Sequence, residues 1–307
     1  MAELRAEPLS PIDVATLWPQ LPRLAVEVTA PRQGESLLLR SGVAATGLGR
    51  LPRLPKTVVV GLRRGLSYRG ILVARELAGG SAWEGLSLHL AHEDDDAAVT
   101  ALLEAAQEEA ARRRGRAFIL RYTDGAPQRD AIRRAGLMPY VRELLYTLPE
   151  RPRDRDDWVF RESRGADRHA IFRLYCRVVP EHVRRNEAPT QGGWRAALAS
   201  YDCDREYVLD GEGAVLAWVG VGRNEARILL EPGIEGALDA ALELAERACS
   251  GRGSLVVSEY QFDLQRLAEE RGYQLCGIRV VAARTLALLQ PLKEVVAVPV
   301  DSYPVPH

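Results

Sequence analysis

Two short helix-ending signatures, Gly136-Leu137 and Gly272-Tyr273, lie 136 residues apart in a chain of 307, and the patterns around them match element for element. Around the first, the hydrophobic periodicity predicts strand 83–90, helix 94–114, strand 117–122, helix 127–135 and strand 140–148. Around the second it predicts strand 226–230, helix 235–249, strand 254–258, helix 262–271 and strand 275–285. The long helix of the first set carries Val99, Leu102, Leu103 and Ala106 on one face, and glycine ends each short helix because only glycine turns left-handed without strain. A repeat this long excludes a solenoid, whose periods run from about 20 to 50 residues, and predicts two tandem α/β units.

The likeness continues upstream. Helices are expected over 12–24 and 166–179, and strands over 57–63, 68–75 and 206–221, the last broken by a turn at Gly211-Glu212-Gly213. Between the units, 148–157 is highly charged, holds two prolines and has no apolar periodicity over its last eight residues, so it is expected to be a linker. The domains are placed at 1–150 and 158–307. The stretch 295–307, with Pro299, Pro304 and Pro306, is expected to be a strand or extended tail.

Composition narrows the partners. The 41 Lys+Arg against 42 Asp+Glu leave a net charge of -1, which removes any global field for nucleic acid or an anionic membrane. All basic residues but Lys56 and Lys293 are arginine, a bias that carries no phosphate-binding inference by itself. The first residues lack the basic and apolar regions of a secretory signal and no apolar run would span a bilayer, so a cytoplasmic location is expected. Cys176, Cys203, Cys249 and Cys276 form no C-x-x-C pair, and the histidines show no ligand spacing beside them, so no metal site is expected.

The late helices Ala131-Ile132-Arg133-Arg134-Ala135-Gly136-Leu137 and Leu267-Ala268-Glu269-Glu270-Arg271-Gly272-Tyr273, with the long helices that follow Leu90 and Leu230, resemble the GCN5-related N-acetyltransferase family across nearly the whole chain. The resemblance implies an α/β (α+β) fold of two tandem acetyltransferase-like domains, each a mixed, mostly antiparallel central sheet flanked by helices, packed as an intramolecular pseudo-dimer. It also implies acetyl-CoA as cosubstrate and a small amine as acceptor.

In that family a loop of the form Gln/Arg-x-x-Gly-x-Gly/Ala wraps the pyrophosphate of the cofactor. Glycines let the backbone approach, and N–H groups at a helix start favour the anion. The first half has Ala91-His92-Glu93-Asp94-Asp95-Asp96-Ala97 there: no glycine, and four successive carboxylates that suit a helix start and repel pyrophosphate. It is not expected to bind coenzyme A in the usual way. The second half has Glu231-Pro232-Gly233-Ile234-Glu235-Gly236-Ala237, where the backbone N–H groups of Gly233, Ile234, Gly236 and Ala237 remain available for phosphate; the competing reading is a Pro-Gly turn before a helix.

The family's tyrosine acid, four residues before the late-helix glycine, is replaced by Ile132 and Ala268. Tyr260, near the end of the strand before the late helix in the second half, is the better substitute, ahead of Tyr122 in the equivalent place of the first. Among Glu225, Glu231 and Glu259, Glu231 is the first choice for general base. The resemblance further places His169, Tyr175, Glu181, His182 and Trp194 near an acceptor pocket. Two readings therefore stand together: an N-acetyltransferase with its chemistry in the second half, and an inactive tandem fold acting as a ligand-binding or interaction module.

Overall fold

A computed structural model of the chain describes residues 5–29, 56–65, 67–78, 81–148, 159–201, 203–222, 224–234, 236–249 and 253–286. The expected linker beyond Leu148 and the 295–307 tail lie outside these residues.

In the first half the strands are β1 (Arg5–Pro8), β2 (Val26–Glu27), β3 (Thr57–Arg64), β4 (Ser67–Glu76), β5 (Ala82–Leu90), β6 (Ala117–Thr123) and β7 (Met138–Thr147). The helices are α1 (Pro11–Leu17), α2 (Asp96–Arg112) and α3 (Arg129–Arg134), with a 3-10 turn at Trp18–Arg23. The second half has β8 (Arg161–Glu162), β9 (Cys203–Gly211), β10 (Ala214–Gly222), β11 (Glu225–Leu230), β12 (Ser254–Ser258) and β13 (Gln274–Thr285). Its helices are α4 (Arg168–Val178), α5 (Glu181–Glu187), α6 (Gln191–Ser200), α7 (Ala237–Ala248) and α8 (Phe262–Glu270). Every predicted element within the described residues is present, and the structure adds the short strands β1, β2 and β8 and the helices α5 and α6.

The late helices of both halves end alike. Gly136 (φ +82°) and Gly272 (φ +80°) are left-handed, and the following residue's N–H returns to the helix, Leu137 to the Ile132 carbonyl (3.3 Å) and Tyr273 to that of Ala268 (2.9 Å). This satisfies carbonyls the helix end would leave open.

All described strands join one mixed, mostly antiparallel sheet, in the order β1-β3-β4-β5-β6-β13-β7-β12-β11-β10-β9-β8, with β2 also pairing β5. The centre of that order is crossed. The last strand of the second half, β13, pairs with β6 of the first, and the last strand of the first half, β7, pairs with β12 of the second. Each half thus completes the other's sheet.

The β7–β13 register is symmetric. Met138 faces Ala283 and Thr147 faces Gln274, and the two register shifts leave Tyr140 and Cys276 unpaired, themselves 136 residues apart. Glu143 and Arg279, with the same separation, face each other, so an approximate twofold axis passes between them.

Packing follows the exchange. On one face, α2 buries Val99, Leu102, Leu103 and Ala106 against Val60, Leu72, Leu90, Phe118 and Leu120, joined by Val280, Ala282 and Leu286 from the exchanged strand region. The matching layer of the second half sets Ala241, Leu242 and Ala245 of α7, with Leu264 and Ala268 of α8, on Val219, Val221, Leu255 and Val257, joined by Tyr146 and Leu148 of the first half. On the opposite face α4 and α6 lay Ile171, Leu174, Tyr175, Trp194 and Ala197 over residues of both halves, including Ile119, Val141, Val208, Trp218 and Val281. No described helix is long and apolar enough to cross a membrane.

Candidate functional site

β11 and β12 run parallel where Glu225, Ala226 and Arg227 face Ser254, Leu255 and Val256. Beyond that point the pairing stops, and Ile228–Leu230 separate from Val257 and Ser258 to leave a slot in the sheet. A cleft of about 480 Å³ opens from this slot beneath the starts of α7 and α8. Glu231, Gly233, Ile234, Gly236 and Tyr260 all line it. Ala237, the first residue of α7, is fully buried against Leu209 and Ala217 and does not line it.

The loop owes its course to its glycines. Gly233 (φ +85°) and Gly236 (φ +79°) are left-handed, and a Cβ at Gly233 would meet nothing within 4 Å. The first N–H groups of α7 have no partner inside the helix and are available at the cleft. Four described carboxylates line the wall, and three are held by arginine: Glu231 by Arg177 (2.6 Å), Glu270 by Arg266 (3.1 Å), and Asp239 by Arg271; the fourth is Asp263 in the first turn of α8.

That pairing changes the reading of Glu231. Arg177 grips its carboxylate while also donating to the Val215 carbonyl (3.2 Å), so the group is an anchor for the loop rather than a free base. Glu225 is likewise committed, to Arg279 at 2.6 and 3.1 Å, and Glu259 accepts from the backbone N–H of Arg142 (3.1 Å) on the exposed surface. Tyr260 is half-buried and its phenol is pushed well up, chiefly by desolvation, with the Glu187 charge acting in the same direction and a hydrogen bond with Ser258 opposing.

Behind the slot, on the α4–α6 face, lies a small cavity of about 20 Å³, room for a single water. Tyr175, Trp194, Tyr201 and Arg227 form its far side, and Ile228, Tyr260 and Gln261 line both it and the cleft. Gln261 spans the slot: its Nε2 donates to the Ile228 carbonyl (2.7 Å) and its Oε1 accepts from the Ser258 N–H (2.9 Å).

Glu187, at the end of α5, accepts hydrogen bonds from the hydroxyls of Tyr175 (3.0 Å) and Tyr201. Desolvation raises its pKa above the ordinary carboxylate value, outweighing the two tyrosine donors and the charges of Arg227 and Arg121. Arg227 stacks on the Tyr201 ring at 4.0 Å and reaches Glu143 at 2.9 Å. Glu143 in turn holds Arg279 (3.0 Å) and Arg121 (3.4 Å), and those arginines keep it ionised far below the usual carboxylate range despite desolvation. Arg121 continues to Glu84 (2.6 Å), which Arg75 and Ser200 also bind. A buried charge network therefore runs across the axis between the halves.

Sequence reasoning missed Glu187, Tyr201, Arg227 and Gln261. Glu187 ends a short charged helix, and nothing local distinguishes it from its exposed neighbour Glu181, which pairs with Arg185 (2.5 Å). Of the expected acceptor-side residues, Tyr175 and Trp194 line the cavity, whereas His169, Glu181 and His182 are exposed.

In the first half the described residues of the corresponding loop and helices pair with one another. Asp95 caps its own helix at the Ala98 N–H (3.2 Å) and pairs with Arg69 (2.5 Å), and Asp96 pairs with Arg134 of α3 (2.6 Å). Gln107 donates to the Ala135 carbonyl (3.2 Å) and accepts from Arg284 (2.6 Å), tying α2 to the end of α3 and to β13. The acid-rich stretch thus turns its charge onto its own helix and onto arginines.

No protein-family model matches the sequence, and no curated protein matches it. Solved structures do match. A tandem GNAT protein from the clavulanic acid biosynthesis pathway, determined without AcCoA, superposes with a TM-score of 0.52 at 13% identity, covering 93% of this chain and 99% of that one. A putative acetyltransferase from Pyrococcus horikoshii gives 0.54 at 12% identity, with 94% and 91% covered. A GCN5-related N-acetyltransferase from Sphaerobacter thermophilus gives 0.54 at 12%, with 93% and 96% covered. The fold is that of a tandem GCN5-related N-acetyltransferase.

Proposed function

We propose that the chain is an acyltransferase whose second half binds acetyl-CoA in the cleft under α7 and α8 and passes the acyl group to a small amine, with the first half as its structural partner. The observation that carries this reading is that Glu231, Gly233, Ile234, Gly236 and Tyr260, to which the family resemblance pointed, wall one cleft of about 480 Å³. The reading is supported by the N–H groups at the start of α7, which suit a pyrophosphate, by the open space at Gly233, and by the pairing of three of the four described wall carboxylates with arginine.

In this reading Tyr260, kept protonated by its surroundings, donates a proton to the departing thiolate, and Glu187 replaces Glu231 as proton acceptor. The amine nitrogen attacks the thioester carbonyl carbon and the carbon–sulfur bond breaks. A cavity-lining tyrosine hydroxyl, Tyr175 or Tyr201, takes the amine proton as it passes its own to Glu187, and the sulfur takes the Tyr260 proton. The Tyr175 and Tyr201 hydroxyls hold the Glu187 carboxylate in place.

A second reading, an inactive tandem fold that binds a ligand or a protein partner, is favoured by the engagement of Glu231 with Arg177 and by Ile132 and Ala268 at the family's tyrosine positions. Calorimetric titration with acetyl-CoA, using coenzyme A and ATP as comparators, separates the two. Saturable binding at one site per chain supports the enzyme, and no binding at millimolar cofactor supports the inactive fold. Gly236→Asp, which puts a carboxylate at the start of α7, should weaken coenzyme A binding by tenfold or more, on the order of 1.4 kcal/mol; unchanged affinity would remove the phosphate loop from the proposal.

A further inference from the structure

The first half contains a strand in the place where the second half has a slot. There β5 and β6 run parallel from Ala82–Gly85 and Ala117–Leu120, then part. Into the gap runs the segment 26–29: Val26 faces Leu90, Glu27 faces His89, and the Val28 N–H donates to the Leu88 carbonyl (2.9 Å). Thr29 accepts from the Leu88 N–H (3.2 Å) through its hydroxyl and bridges to Tyr122 on the opposite wall. The physical cause is general: two parallel strands that diverge leave facing N–H and C=O groups without partners, and an extended amide-bearing chain satisfies them. The first half shows what such a slot accepts.

In the second half one side chain stands in for that strand. The primary amide of Gln261 donates to the Ile228 carbonyl on β11 and accepts from the Ser258 N–H on β12, one hydrogen bond to each wall. The same side chain lines both the open cleft and the small cavity behind the slot. Gln261 precedes the first residue of α8, and rotation about its side-chain bonds leaves its backbone hydrogen bonds with Ser258 and Gln265 in place.

We propose that Gln261 is a side-chain latch: it closes the slot between β11 and β12 in the free protein and swings aside when the extended, amide-bearing arm of a pantetheine thioester enters from the cleft. The inference rests on the acetyl-CoA reading of that cleft. The arm's amides take over the hydrogen bonds to Ile228 and Ser258, as the backbone of Val26–Thr29 does for β5 in the first half. Because the latch must open before the arm enters, it lowers the apparent affinity by the fraction of molecules in which the slot is open.

The test is calorimetry on the full chain and on Gln261→Ala, with Gln261→Asn, too short to span the slot, as a second variant. Three ligands are compared: acetyl-CoA, pantetheine, and adenosine 3′,5′-bisphosphate, which has no arm. The expected result is that both variants bind acetyl-CoA and pantetheine about tenfold tighter and bind the bisphosphate as the wild type does. If acetyl-CoA and the bisphosphate bind but the variants gain nothing for the arm-bearing ligands, the latch is overturned and the cofactor reading stands. A gain for pantetheine with no nucleotide binding supports the latch and overturns the cofactor reading. If none of the three ligands binds any form, both fall.

Discussion

The two halves meet the same structural problem, a parallel strand pair that diverges, and answer it differently. The first half fills the opening with its own backbone, Val26–Thr29, and ties α2 to α3 through Asp96–Arg134, Gln107 and Arg284. The second half fills it with the amide of Gln261 and leaves an open cleft under α7 and α8. A four-residue segment is held by backbone hydrogen bonds and buried side chains, and displacing it means partly unfolding the chain. A single glutamine moves by rotating a few bonds. The two closures therefore differ in kind: one opens only by local unfolding of backbone, the other by rotation of a side chain.

The largest expected effect falls on what the halves share. Removing Glu143 leaves Arg121, Arg227 and Arg279 without their common buried partner, so Glu143→Leu should cost about 3–5 kcal/mol in urea denaturation. Because β7 and β13 are exchanged, Trp83 in the first half and Trp218 in the second should report one coincident transition; two separate transitions would break the picture of halves that complete each other. Glu143 also predicts the pH dependence. Its folded pKa lies well below the ordinary value, so the stability it contributes is complete above about pH 5 and is lost as pH falls through the carboxylate range and below it. Glu143→Gln should flatten the acid side of the stability profile.

The next effect probes the two fillings directly. Thr29→Val removes the hydroxyl that accepts the buried Leu88 N–H and should cost about 1–3 kcal/mol, since a buried donor is left unsatisfied. Gln261→Ala should cost less, about 0.5–1.5 kcal/mol, because the groups it releases border an open cleft that water enters. Equal costs would erase the distinction between a structural filling and a removable one. The smallest effect belongs to the exposed pair across α2 and α3: Arg134→Ala should change stability by less than about 1 kcal/mol. It should also leave the first half unable to bind acetyl-CoA, because Val26–Thr29 still occupies its slot. A second calorimetric site in that variant would show that the helix pair, and not the strand, keeps the first half closed.

Much of the fold was legible because it is written locally. The apolar face of α2 at Val99, Leu102, Leu103 and Ala106 is buried as its spacing required, and Gly136 and Gly272 turn left-handed at the helix ends where their position demanded it. The cleft was legible only through the family resemblance, which pointed to the loop of Gly233, Ile234 and Gly236 and to Tyr260, and these residues line one opening. The partners of the acids were not. Glu231 seemed a free carboxylate until the fold set Arg177, 54 residues away in sequence, against it, and Glu187 lies in an unremarkable charged helix until Tyr175 and Tyr201 close over it.

By itself the sequence determined the repeat, the alternation of strands and helices, and the turns that glycine permits. These follow from side-chain periodicity and backbone sterics, which act over a few residues. Only the tertiary structure decided that β7 and β13 change places, that Glu143 meets Arg279 on the axis, and that Val26–Thr29 fills one slot while Gln261 spans the other. The reason is that a strand edge presents the same row of N–H and C=O groups to any neighbour. Local pattern fixes which face of a strand is buried, and the choice of partner across its edge is made only when distant parts of the chain meet.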